Sequence, residues 1–283
     1  MRNETWIIAA PGSVTTELRD TGHGPAGADG PIPADVAPTS VTVAVTGGSV
    51  RVEAHDGQHA ELEVLTVSSR PLAMTLVDTE LRVSYEFAGL EGVVDRVKGL
   101  RDKDSVDVVL RVPATAELRV TAVSAGISVR GLAASVTAST VQGDVELDDV
   151  SGTATVSTVA GAVRAADHAG AVVVRTGTGA VDVAGELTRA EVATVSGAVL
   201  VSPGSGPSSV AARTVTAPVT VRAPRGVAVD LRTRTVNGRT VLDGSDLRTP
   251  DSGSTAVDHA EPGATVFVST STVSGDVVVS RAS

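Results

Sequence analysis

A chain of 283 residues with 42% apolar residues can bury one large all-β core or two ordinary ones, but its only aromatics are Trp6, Tyr85, Phe87 and Phe267, so Val, Ala, Leu and Ile must fill the interior. A net charge of −10 and a pI near 4.9 argue against a nucleic-acid binder, which gathers basic residues on one face. The absence of cysteine excludes disulfides, thiol chemistry and Cys-based zinc sites and leaves the redox compartment open.

In chain order, residues 1–10 carry one short apolar piece, 6–10, with Glu4 where a signal peptide is positive. This reads as a strand of a cytoplasmic protein. No apolar run approaches the roughly 18 residues that cross a bilayer, so membrane insertion is not expected. Residues 11–38 are rich in Gly, Pro, Asp and Thr and are expected to form a mobile surface loop. Alternation then predicts strands at 41–45 and 50–54, with Gly47-Gly48 as a turn between them, and further strands at 60–64, 72–76 and 80–85. Val93, Val94, Val97 and Leu100 change the period and predict a short helical, charged segment within 88–105. A strand at 106–112 ends at Pro113.

From residue 114 a pattern T-V-x-G-x-V returns every 18 residues. Thr140-Val141-Gln142-Gly143-Asp144-Val145, Thr158-Val159-Ala160-Gly161-Ala162-Val163 and Thr194-Val195-Ser196-Gly197-Ala198-Val199 are clear copies. A strict period of this length marks one supersecondary unit stacked on copies of itself. Equal spacing predicts that Val145, Val163, Val181 and Val199 lie one strand apart, at about 4.8 Å. The spacing loosens after Val201, and Gly238 to Gly275 reads as one coil with a loop insertion at 243–263. The expected organisation is a 1–113 strand region that continues into the same stack as a 114–283 repeat region. The fold class is all-β, a single-stranded and right-handed β-helix or β-solenoid. The closing strand, Gly275 to Ser280, has no polar capping repeat after it, so its edge is expected to be free to pair with another chain.

Chemistry-bearing clusters are few. Asp144, Glu146, Asp148 and Asp149 form the densest acidic group, but the residues one period beyond Asp144 and Glu146 are Ala162 and Arg164, which predicts a surface charge pair. His55 and His59 have a metal-ligand spacing for a helix, whereas their stretch reads as strand and turn around Asp56-Gly57. No catalytic, cofactor-binding or metal-binding residue is assigned. The column Thr140, Thr158, Thr176, Thr194, Thr214, Thr235 and Thr272 would face outward if Val141 and its equivalents face inward. Such a ladder is what ice-binding proteins present, and also what simple strand preference produces.

On the opening Thr5-Trp6-Ile7-Ile8-Ala9, the segment Ser105-Val106-Asp107-Val108-Val109-Leu110-Arg111-Val112-Pro113 and the T-V-x-G-x-V series ending Thr272-Val273-Ser274-Gly275-Asp276-Val277, the chain resembles the DUF4097-type bacterial family named for adhesins, in its signal-less actinobacterial form. The resemblance implies a β-helix-like fold and offers no catalytic residues. The expected function is therefore a non-catalytic scaffold or adhesin-like interaction module. Its partner is an unidentified protein or a second copy of the chain, joined through the coil ends, with no nucleic acid and no cofactor. The alternative is a carbohydrate-active or ligand-binding enzyme on a β-helix.

Overall fold

The computed structural model describes residues 3–15, 37–68, 70–85, 104–247 and 255–281. About 70% of the described residues are strand, none is helix, and the sheet is not closed. The helical segment expected within 88–105 falls on 86–103, outside the described residues; Ser105 already opens a strand.

The first eight strands are β1 (Asn3–Ile8), β2 (Gly12–Thr15), β3 (Ser40–His55), β4 (Glu61–Val67), β5 (Leu72–Val77), β6 (Glu80–Tyr85), β7 (Ser105–Pro113) and β8 (Glu117–Arg130). Part of the expected loop at 11–38 is thus strand: β2 pairs antiparallel with β4. Gly47-Gly48 does not reverse the chain either. β3 runs straight through it, its first half parallel to β6, its second half parallel to β7, and both halves parallel to β8. The turn signal is used as a corner. A Cβ on Gly48, whose φ is +103°, would overlap the Val106 backbone, so only glycine passes there.

The repeat region alternates longer and shorter strands: β9 (Val136–Gln142), β10 (Val145–Asp148), β11 (Ser151–Ala160), β12 (Val163–Ala166), β13 (Ala169–Thr178), β14 (Val181–Gly185), β15 (Leu187–Thr194), β16 (Val199–Pro203), β17 (Ser208–Thr214) and β18 (Val219–Ala223). Every other strand pairs in parallel. Val145 lies opposite Val163, Val163 opposite Val181, and Val181 opposite Val199, so the register predicted from the period holds. The longer strands repeat this in a second ladder, where Val136 meets Ala154 and Ala138 meets Val156. Large and small residues thus exchange places between adjacent columns, which keeps the layer volume near constant without aromatics. The inward columns of both ladders join one core with the N-terminal strands, and most of its valines are under 3% exposed.

The end of the chain departs from its order in sequence. The remaining strands are β19 (Val229–Thr235), β20 (Thr240–Leu242), β21 (Ser245–Asp246), β22 (Thr255–Ala260), β23 (Val266–Thr272) and β24 (Val277–Arg281). β23 pairs in parallel with both β17 and β19, and β24 with both β18 and β20. The last two strands therefore lie between two earlier pairs. Within the expected insertion at 243–263, β21 and β22 return antiparallel along β20 and β19. The closing strand is consequently not a free edge: β24 is bonded on both sides, which removes coil-end pairing through it. At the other end of the stack, β1 and β2 likewise run antiparallel to their neighbours.

Arg281 locks the inserted pair. Its guanidinium bonds Asp243, Glu261 and, at 3.1 Å, the Val227 carbonyl, while its backbone N–H donates to Asp243 at 2.9 Å. The Arg281 side chain and then the Val229 N–H, at 2.9 Å, hold the Glu261 carboxyl below its ordinary range. Because folding lowers this pKa, the unfolded chain binds the proton more tightly. The contribution is complete above the unfolded-state value and is lost as pH falls through the folded one. Arg281→Ala is expected to cost about 1–2 kcal/mol at neutral pH. The gap between wild type and variant in urea midpoints should close below about pH 4.

The corner glycines set the approach between strands. A Cβ on Gly179, at φ +138°, would overlap the Gly161 carbonyl oxygen, and one on Gly161 would overlap that of Gly143. Gly179→Ala is expected to destabilise by about 2–3 kcal/mol. Gly126→Ala is expected to be within about 0.5 kcal/mol of wild type, since the nearest atom to its Cβ, Asp144 O, is 4.0 Å away. Denaturant titration of both variants checks the pair.

Candidate interaction surface

The T-V-x-G corner is built the opposite way round from the alternation argument. Thr140, Thr158, Thr176, Thr194, Thr214, Thr235 and Thr272 are all buried, at 7% exposure or less. Val141, Val159, Val195, Val215, Val236 and Val273 are 41–58% exposed. The reason is a local break in the alternation. Between the inward Thr140 and the inward Val145 lie four residues where an unbroken strand would place an odd number, so the parity shifts at the glycine.

Thr140, Thr176, Thr194 and Thr214 bond this corner, while the buried Thr158 and Thr235 hydroxyls make no hydrogen bond. The Thr140 hydroxyl donates to the Gln142 carbonyl at 3.2 Å and the Thr214 hydroxyl to the Ala217 carbonyl at 2.9 Å, while Thr194 accepts from the Gly197 N–H at 3.2 Å. These bonds satisfy backbone groups that the tight corner leaves out of the ladder. The outward threonine ladder is therefore absent, and with it the ice-binding surface it would have offered.

What faces outward is a ridge of valines. In stack order the column is Val123, Val141, Val159, Gly177, Val195, Val215, Val273 and Val236. Backbone bonds of the corner residues fix the later rungs: Val195 N to Gly177 O, Thr216 N to Val195 O, Ser274 N to Val215 O and Asn237 N to Val273 O, at 2.8–3.2 Å. Gly177 is the one gap. The neighbouring column, from Ser124 through Gln142, Ala160, Thr178, Ser196 and Thr216 to Ser274 and Asn237, carries no charge. On the other flank Arg175, Arg213 and Arg234 recur on alternate rungs, separated by Ala193 and Ser271.

The acidic cluster has a different character. Glu146 lies opposite Arg164, as the spacing predicts, and Asp144 accepts the Ala162 N–H at 2.7 Å. Arg130 pairs with Asp148 at 3.4 Å. The shallow groove of about 250 Å³ between Ser128, Arg130, Glu146, Asp148, Arg164 and Ala166 is thus lined by interleaved charges rather than convergent acids. The alternation continues towards the N-terminus, where Arg111 sits within 3.6 Å of Glu53, Glu61 and Glu63.

Among the described histidines only His55 and His59 come together, with ring centroids 4.6 Å apart. His55 Nδ1 accepts the Gly57 N–H at 2.8 Å, which leaves Nε2 to donate to the His59 carbonyl at 3.0 Å; the pair shapes a turn and is half-buried. His259 lies 3.8 Å from Glu261. His168, fully buried, takes the position held by Val150 and Leu132 one and two periods earlier, and burial pushes its pKa down. His23 lies outside the described residues. Among the described residues no group of three or more His, Asp or Glu is placed to hold a metal ion, and no helix is long and apolar enough to cross a membrane.

No family model matches the chain, and no curated protein matches it. Solved structures with a related arrangement include a candidate adhesin from Bacteroides fragilis, with 10% identity over 95% of this chain and 97% of that one and a TM-score of 0.44. A candidate cell adhesion protein from Clostridium sporogenes has 9% identity over 96% and 100%, with a TM-score of 0.28. A candidate lipid binding protein from Parabacteroides distasonis has 9% identity over 97% and 98%, with a TM-score of 0.32. Identity and TM-score are low throughout, and what those proteins do does not carry over to this chain.

The corner assignment makes opposite predictions for two adjacent residues. Thr214→Val keeps the shape but leaves the Ala217 carbonyl without its donor, at an expected cost of about 1–2 kcal/mol. Val215→Thr, on the exposed ridge, should stay within about 0.5 kcal/mol of wild type. Thermal melts of the two variants, read side by side, would show the reverse order if the threonines faced solvent.

Proposed function

We propose that the two ladders wind as a single-stranded, right-handed β-solenoid with coils of about 18 residues, of the DUF4097 type. In this reading the chain is a non-catalytic, adhesin-like scaffold for protein contact. The observation that carries the reading is the valine ridge: the same apolar side chain presented outward on nearly every rung, beside an uncharged column. Exposed apolar surface that is contiguous over many rungs marks contact sites in soluble proteins. The charged faces support a scaffold over an enzyme, because Glu146 and Asp148 face arginines across neighbouring strands instead of converging on a shared reacting atom. The work of such a molecule is positional, done by a stiff stack that holds identical groups at fixed spacing.

The test is affinity capture with the full chain as bait, beside a Val141→Asp/Val273→Asp variant and a Glu146→Gln/Asp148→Asn variant. The scaffold reading expects the ridge variant to lose most captured protein, tenfold or more, and the groove variant to keep it. Turnover of a polysaccharide or other small ligand that disappears in the groove variant alone would replace this reading with the enzymatic one.

A further inference from the structure

We propose that the valine ridge is a homodimer interface, in which two copies pack ridge to ridge with their stacks running in opposite directions. This deepens the scaffold reading, and rests on it, by naming a second copy of the chain as the ridge's partner.

Spacing favours a second copy. Ridge valines recur at the strand-to-strand distance, about 4.8 Å, so eight rungs span about 34 Å. A partner that engages every rung needs the same repeat, and another copy has it. β-branched side chains are stiff, and identical rows of them at this spacing interdigitate into dry contacts.

Charge favours it as well. The chain carries −10, so two copies repel unless the contact is neutral, and the column beside the ridge is uncharged along its whole length. On the other flank, counted from Val123, the arginines Arg175, Arg213 and Arg234 occupy the fourth, sixth and eighth rungs. A two-fold axis across the ridge sets the first rung against the eighth. Those arginines then face Ala193, Ser157 and Thr121 of the other copy, and no arginine meets another. The same axis sets Val195 against Gly177, the one rung without a side chain, so each copy's valine enters the other's notch.

Sedimentation or light scattering of the full chain over a wide concentration range is expected to give twice the 28.3 kDa chain mass. Val195→Asp should weaken the dimer at least tenfold with unchanged circular dichroism and melting. Val77→Asp, at an exposed valine far from the ridge, should leave it intact. Because the chain has no cysteine, engineered thiols report register without background. A mixture of Val159→Cys and Val215→Cys chains, the third and sixth rungs, should form disulfide dimers far more readily than either chain alone. Three results would overturn the proposal: a monomeric wild type, a dimer indifferent to Val195→Asp, or Val159→Cys linking to itself as well as to Val215→Cys. A monomeric wild type whose capture of other proteins still depends on Val141 and Val273 would remove the dimer and leave the scaffold standing.

Discussion

The structure depends on backbone contact at the glycine corners. There the carbonyl of one unit occupies the space a Cβ of the next would need, so successive units settle at full strand-pairing distance on both sides of the turn. With that spacing fixed, the N–H and C=O groups of each strand find partners one period away, and the side chains fall into columns. Only then can the Val, Ala and Leu columns of the repeat fill space without aromatics, since a small residue in one column stands beside a large one in the next. A corner that held the units apart by a side chain would open both ladders at once.

The same corner explains why the threonines are buried. A tight turn leaves backbone groups outside the ladder, and in an apolar interior those groups need local partners. A hydroxyl one short side chain away is the cheapest donor or acceptor. The valine beside it has no inward space left and is displaced to the surface, which is how a strand-forming residue comes to sit half exposed on rung after rung. The ridge is thus a by-product of solving the turn, available for contact because the core does not need it.

Register was legible in the sequence because a period refers to itself: Val145 and Val163 must be neighbours if every unit does the same thing. Facing was not legible at Thr140, because alternation assumes an unbroken strand and the corner inserts an extra residue. Gly47-Gly48 misled for a related reason, since glycine permits a corner as readily as a reversal. The order of the last units was hidden more deeply. The T-V-x-G pattern around Thr235 and that around Thr272 are interchangeable as rungs, and nothing local says which of them lies against Thr214. The answer comes from long-range bonds such as those of Arg281, whose partners Asp243 and Glu261 lie 38 and 20 residues away. Of the candidate surface, the uncharged column was visible as residues but carried no meaning until the valines beside it were known to face out.

The inserted position of β23 and β24 bears on how the molecule takes mechanical load. In a stack built in sequence order, tension on the C-terminus peels the outermost strand, one hydrogen bond after another. Here the same pull engages strands flanked on both sides by parallel partners, so two rows of bonds are sheared together before anything detaches. The chain end that would be weakest in a simple stack is tethered inside it, and a force applied there is shared with the units on either side.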